Sequence, residues 1–334
     1  MAKFINKYTN IEAYNADDGK QYPNVSYLVD QDIIKFEKND PVHIVAVYNV
    51  TSTSEATNLL NSTTGITYQI IDDVKQDTVQ TTYTFDTTGE HTVKYKLDGT
   101  NINNIYYFYQ CPNLVSVVIP ETITSIKGAL FYSCSNLTNV VLPKTLTFIG
   151  ERVFDYCSKL TTISIPNGVT VIEKCFVESG LIYIDLPNSV TTLKGTFQSA
   201  SKLKRVNSNV DGECNIPDSV TTIGYNTLNQ CKSITSIYIP NSVTSIGNGA
   251  FSGNYDNLKQ ITIGSGITSI GNQVTTNSYG IQSITIKATT PPTISELTWQ
   301  STNCPIYVPA ESVDAYKTAT NWSALADRIQ AIPA

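Results

Sequence analysis

Residues 231–251 read Cys-Lys-Ser-Ile-Thr-Ser-Ile-Tyr-Ile-Pro-Asn-Ser-Val-Thr-Ser-Ile-Gly-Asn-Gly-Ala-Phe. Ile234, Ile237 and Ile239 follow a Leu-x-x-Val-x-Ile pattern, and Pro240 then stops the run, because proline has no N–H to give a strand ladder. Outward from this stretch the same text recurs. Prolines 120, 143, 166, 187, 217 and 240 each follow Ile or Leu, at spacings of 23, 23, 21, 30 and 23 residues, and Gly264 takes the proline place 24 further on. Three and six positions after each anchor stand branched residues: Ile123/Ile126, Leu146/Ile149, Val169/Ile172, Val190/Leu193, Val220/Ile223, Val243/Ile246 and Ile267/Ile270. A threonine sits inside every pair (124, 147, 170, 191, 221, 244, 268), and Phe131, Phe154, Phe176, Phe197, Leu228 and Phe251 close most units.

A period of 20–29 residues marks a leucine-rich array. Each unit predicts one strand, as in Leu114–Ile119 or Leu160–Ile165, then a turn and a compact return. Asn-Gly or Asn-Ser after Pro166, Pro187 and Pro240 supplies the turn. A single unit buries too little to stand alone, so stacking must complete both the core and the backbone pairing. The unit resembles the BspA-like leucine-rich repeats of gut bacteria and their phages over about residues 105–287, and Cys231–Phe251 matches it closely. The resemblance implies adhesion or recognition; fold alone does not fix function. Two departures stand out. About seven extra residues lie around Asn207–Cys214, and the units at Phe176 and Phe197 run one or two residues short.

Composition agrees with a β-rich chain. Of 334 residues 41% are hydrophobic and 15% charged, with 20 Tyr and one Met, and Thr, Val, Ile and Tyr favour strands. A net charge of −6 and 22 scattered basic residues argue against nucleic acid. No stretch approaches the ~20 apolar residues of a membrane helix. Met1–Tyr8 has no apolar core and does not read as a signal peptide, so a surface role would need another route out of the cell.

The flanks divide into three. Residues 1–40 carry Tyr8, Tyr14, Tyr22 and Tyr27 among Asn, Asp and Lys, and read as an anchoring arm that orders against a partner. Tyr14–Asp17 followed by Tyr22–Leu28 resembles the opening of virion proteins from phages of gut Bacteroidales (crAss-like). Residues 41–100 predict short strands at His43–Tyr48, Ile66–Ile71, Thr81–Phe85 and His91–Leu97, and Tyr83–Tyr95 resembles the closing strands of small immunoglobulin-like modules. A sandwich of ~60 residues is near the lower size limit and should lean on the array. Residues 288–334, with Tyr316, Trp322 and Ile329, resemble the C-terminal caps of the BspA-like family and should cover the open end of residues 101–287. The expected fold class is therefore mainly β: a leucine-rich-repeat solenoid of about seven to eight repeats, a small N-terminal immunoglobulin-like β module and a C-terminal cap.

Candidate chemistry is sparse. Cys111, Cys134, Cys157 and Cys231 all stand nine residues before the strand-ending proline, which makes them one rung position rather than a metal set. No Cys-x-x-Cys occurs, and His43 and His91 have no evident ligand partner, so no metal, cofactor or disulfide framework is expected. No Gly-x-Ser-x-Gly turn supports a hydrolase. Asp17-Asp18 and Asp72-Asp73 read as solvated turn residues. The chain is not expected to be an enzyme.

The outward face of the strands is more telling. The second, third and fifth residues of each strand point away from the core. Stacking should align Tyr183, Arg205 and Ser236 in one row and Asp185, Asn207 and Tyr238 in another. Tyr183, Asp185, Arg205 and Tyr238 then bring aromatics and both charge signs together, a surface suited to sugars or a protein partner. A plain solvent face is the competing reading. The expected function is a non-enzymatic phage virion-surface protein, a capsid decoration or fibre, whose arm contacts other virion proteins and whose array meets a host surface glycan or protein. The alternative is a bacterial cell-surface adhesin-like repeat protein. A homo-oligomer is expected, without nucleic acid or membrane insertion.

Overall fold

In the computed structural model, residues 43–98, 107–299 and 302–333 are described. The Leu-x-x-Val-x-Ile segments build the main wall of a solenoid of about nine turns. Eight parallel strands lie in order: Tyr183–Ile184, Arg205–Val206, Glu213–Asn215, Ser236–Ile239, Gln260–Ile263, Ser283–Ile286, Ile306–Val308 and Ile329–Ala331. Registration is residue on residue: Ile237 faces Ile261, which faces Ile284. The two-residue period sends these isoleucines inward and leaves Tyr238, Thr262 and Thr285 outward. Leu114–Val118 and Asn139–Val141 form an earlier parallel pair of the same kind. Leu160–Ile165, expected as a strand, forms no regular ladder, although Leu160, Ile163 and Ile165 are buried.

The segment after each proline makes a second parallel wall that the sequence pattern was too short to reveal. It runs through Val171–Glu173, Thr192–Lys194, Thr222–Ile223, Ser245–Ile246 and Ser269–Ile270. The repeated threonine is explained here. Thr147 donates both its N–H (2.9 Å) and its hydroxyl (3.1 Å) to the Thr124 carbonyl, and Thr268 does the same to Thr244 at 2.9 Å each.

The third side is a turn centred on the closing Phe. Two residues per turn take left-handed backbone, two before and two after the Phe: Arg152 and Tyr156 around Phe154, Lys174 and Glu178 around Phe176. Such conformations cost roughly 1–2 kcal/mol each for non-glycine residues, and bonds to the next rung hold them. Phe154 N–H donates to Cys175 O at 3.0 Å and Phe176 N–H to Thr196 O at 3.1 Å. Inside, Phe108, Phe131, Phe154, Phe176 and Phe197 stack with centroids 5.5, 5.6, 5.5 and 6.0 Å apart and planes within 13°. Tyr95 of the N-terminal module meets Phe108 edge-on at 5.8 Å and extends this column.

Among the described residues the module does not show the two facing sheets expected of an immunoglobulin-like sandwich. His43–Val50 pairs antiparallel with Gly89–Leu97 on one edge and with Leu114–Val118 of the array on the other, so one six-stranded sheet crosses from module to array. Beside it, Thr57–Asn58 and Thr82–Tyr83 make only a two-residue ladder. With too few residues to close a core of its own, the module continues its sheet into the first rung and shares that rung's core. Tyr48 anchors the junction, its hydroxyl donating to Leu59 O at 2.6 Å and lying 2.8 Å from the Tyr95 hydroxyl.

At the other end, Ile329–Ala331 adds the last strand beside Ile306–Val308. Helix α1, Val313–Thr318, turns Tyr316 inward against Trp322, with ring centroids 4.9 Å apart. Their polar atoms are satisfied: the Tyr316 hydroxyl donates to Ala288 O at 2.9 Å and Trp322 Nε1 to Pro292 O at 2.8 Å. Val42–Ala334 is one compact unit with a single continuous apolar core from Ile44 to Ile329.

The phenylalanine column generates a prediction. Phe176 is fully buried between two rings, so Phe176→Ala should lose about 3–5 kcal/mol in urea unfolding. Phe148→Ala, at a ring 49% exposed, should change stability by well under 1 kcal/mol. Equal losses would contradict the column.

Candidate functional site

The extra residues of the array form an inserted strand in the main wall. Val206 pairs with Cys214, and Cys214 pairs with Ile237, whereas on the second wall Leu193 pairs directly with Ile223. The main wall thus gains one ladder step, about 4.8 Å, over the second wall.

Two residues make the detour possible. At Asn207 the chain turns through a φ of 46°, and its side-chain amide stands in for a strand. Oδ1 accepts from Leu186 N–H at 3.1 Å while Nδ2 donates to Leu186 O at 3.0 Å. Gly212 returns the chain at φ 95°, and a Cβ there would collide with the Thr235 hydroxyl. Its N–H donates to Lys204 O and its carbonyl accepts from Thr235 N–H, both at 2.7 Å.

The insertion rearranges the predicted surface. Tyr183 and Arg205 are brought together as paired residues, with the guanidinium 4.9 Å from the ring centroid. Arg205 Nη1 also lies 4.0 Å from Asp211, and Lys204 Nζ lies 3.4 Å from the same carboxylate. Burial pushes the Tyr183 phenol upward, which keeps it a hydrogen-bond donor at neutral pH. Asp185 is exposed two residues along the same outward face. Tyr238 is not beside Asn207 as expected. Asn215 stands opposite it and Glu213 opposite Ser236, which sets Tyr238 two ladder steps from the Arg205 strand, about 10 Å away. Its ring is approached instead by Lys287 Nζ at 5.6 Å. The sequence does hold the signal: Arg205-Val206-Asn207 is repeated in pattern by Glu213-Cys214-Asn215. The candidate anchors Tyr8, Tyr14, Tyr22 and Tyr27 lie outside the described residues.

The cysteines take a structural place. All seven are free and buried. The Cys134, Cys157 and Cys231 thiols donate to the carbonyls of Phe108, Phe131 and Phe197 at 2.8, 3.1 and 3.1 Å, each one rung back. Asn254 and Ser278 make the same bond where cysteine is replaced, to Leu228 O and Phe251 O at 3.0 Å. The position therefore selects a small buried donor. Burial pushes the Cys111 and Cys214 thiols up to about 12, which removes the thiolate that metal binding or nucleophilic attack needs.

His91 does have a neighbour, contrary to the sequence reading. Its Nδ1 lies 2.6 Å from Asp72 Oδ2, and Thr87 Oγ1 lies 3.3 Å from Nε2. This is not a working nucleophile triad, because Nε2 is engaged at 2.9 Å by the Thr87 carbonyl. His43 Nε2 meets the Tyr68 hydroxyl at 3.0 Å. Among the described residues no group of three or more His, Cys, Asp or Glu is placed to hold a metal.

A stacked parallel array with recurrent Leu, Ile and Phe positions is a leucine-rich-repeat protein. The family model described as "BspA type Leucine rich repeat region (6 copies)" matches residues 100–212 and 208–304, and the chain belongs to that family. Among solved structures, a leucine-rich repeat protein of T. pallidum is 27% identical, covering 50% of this chain and 78% of that one, with a TM-score of 0.42. One from Bacteroides ovatus is 20% identical over 75% and 79%, with a TM-score of 0.38. A leucine rich cell surface protein of Faecalibacterium prausnitzii is 20% identical over 72% and 84%, with a TM-score of 0.30. No curated protein matches.

Two measurements follow. Thiol reagent should find no reactive cysteine in the folded protein and seven after denaturation; prompt labelling of the native chain would contradict the rung assignment. Asp155 is buried, and burial holds its carboxyl up at about 7 despite the bond accepted from Val177 N–H. Between about pH 4 and 7 the unfolded chain is ionised at this position and the folded chain is not. Stability therefore falls as pH rises through that window and levels off above it. Asp155→Asn should flatten this slope and be more stable than the parent at pH 8, by on the order of a few kcal/mol. Parallel pH profiles of the two melting temperatures would contradict it.

Proposed function

We propose that this chain is a non-enzymatic recognition protein that presents the outward face of its main wall to a host surface glycan or protein. The observation that carries this reading is the Tyr183–Arg205 pair on that face, with Asp185 beside it, while the inward side of the walls is given over to the core. Rings with adjacent charged and hydrogen-bonding groups, held on a rigid sheet, suit recognition without chemistry. Tyr183, Asp185, Arg205 and Tyr238 are the proposed contact residues.

The surface that carries the chain is proposed to be that of a gut phage virion, as a capsid decoration or fibre. Residues 1–40, through Tyr8, Tyr14, Tyr22 and Tyr27, would join other virion proteins, and the chain would act as a homo-oligomer. The resemblance of Tyr14–Leu28 to virion proteins supports that placement. Membership of the BspA-type family supports a bacterial cell surface instead.

Purified gastric mucin and its released glycans are the direct probes. The parent should bind, and Tyr183→Ala with Arg205→Ala should weaken binding at least tenfold without changing the melting temperature. No binding to any component by the parent, or unchanged binding by the double variant, would contradict the proposed face. Antibody detection in purified particles, against fractionated cells without phage induction, separates the two placements: only the bacterial one predicts cell-associated protein.

A further inference from the structure

Beyond the inserted strand the main wall changes character. From Ser236 onward its outward strand positions are Ser236, Tyr238, Gln260, Thr262, Ser283, Thr285, Tyr307 and Gln330, with no acidic residue among them. Tyr238, Thr262, Thr285 and Tyr307 face one another in register across four consecutive strands. Three ladder steps put the two tyrosine positions about 14 Å apart, with two threonines between them. Tyr238 is 39% exposed, and the other three are partly exposed.

At the outward strand positions of this half the adjoining charge is basic. Lys259 and Lys287 flank the column, and neither has an ion-pair partner among the described residues. Lys287 Nζ leans back across the threonines to lie 5.6 Å from the Tyr238 centroid. Glu213 lies on the strand on the other side of Tyr238 and accepts a hydrogen bond from Ser208 at 2.7 Å, and Asp256 is exposed in the turn before Lys259, whose Nζ donates to the Asp256 carbonyl. The whole chain carries a net charge of −6, so a cationic patch beside aromatic rings runs against its average.

We infer that this column binds a linear, carboxylate-bearing oligosaccharide laid along the solenoid axis. One sugar ring stacks on Tyr238 and another on Tyr307, the Thr262 and Thr285 hydroxyls bond the hydroxyls between them, and Lys287 pairs with a carboxylate. Ring faces stack on aromatic side chains through C–H and dispersion contact. An ammonium with no carboxylate of its own is complementary to an anionic ligand and not to a neutral one. The inference rests on the recognition role proposed above and adds to it a ligand class and a second locus on the same wall.

Calorimetric titration of the full chain with oligogalacturonides and hyaluronan oligosaccharides, each against its methyl-esterified form, tests it. At least one acid form should bind, with its ester at least tenfold weaker. Tyr238→Ala and Tyr307→Ala should each weaken the acid form about tenfold. Lys287→Gln should abolish the preference for acid over ester, Lys287→Arg should restore it, and Tyr279→Ala, at an exposed ring on the turn side, should leave it unchanged. Equal binding of acid and ester, or loss with Tyr183→Ala but not with Tyr238→Ala, overturns the inference. Mucin binding that survives while both acid forms fail overturns the ligand class and leaves the recognition role standing. Failure of all these glycans together overturns both.

Discussion

Everything in this molecule depends on backbone pairing between successive rungs. A parallel ladder fixes neighbouring rungs about 4.8 Å apart and in register, so each position of one repeat is set on the same position of the next. Inward columns must then be self-compatible. Phenylalanine stacks on phenylalanine at 5.5–6.0 Å, and a buried thiol bonds the carbonyl one rung back. The outward columns of the main wall are free of that demand, and there the residue types vary, whereas the exposed threonines of the second wall recur because each bonds the carbonyl of the threonine one rung back.

The same constraint makes both ends of the array a liability, since an end exposes a row of unpaired groups and an apolar layer. The two ends are handled differently. At the N-terminal end an antiparallel strand, His43–Val50, is laid on the first rung. At the C-terminal end a parallel strand, Ile329–Ala331, extends the ladder, and Tyr316 and Trp322 close over Ala288 and Pro292. Because the module's sheet continues into the array, the two share one core and should unfold together.

The repeat, its proline anchor and the shared cysteine position were legible in the sequence, because each is a column and a column repeats. What does not repeat was harder to read. The Glu213–Asn215 strand shares only a three-residue pattern with Arg205–Asn207, and the alignment of rows across it slipped by one strand. That slip set Tyr238 beside Asn207, when Asn215 stands there. The second wall was missed because two or three residues per rung carry no readable alternation. The His91–Asp72 contact was missed because its partners lie 19 residues apart in strand and turn, with no motif to join them. Of the candidate surface, the Tyr183–Arg205 pair was legible and the Tyr238–Tyr307 column was not, since Tyr307 follows the break at Pro291-Pro292.

The central claim is that recognition belongs to the outward face of the main wall and not to the turn side. Hydroxyl-radical footprinting of the tyrosines, with and without bound mucin glycans, addresses it directly. The account predicts protection of Tyr183, Tyr238 and Tyr307, with Tyr156, Tyr255 and Tyr279 on the turn side labelled as before. Protection of the turn-side tyrosines with the wall left open would contradict it.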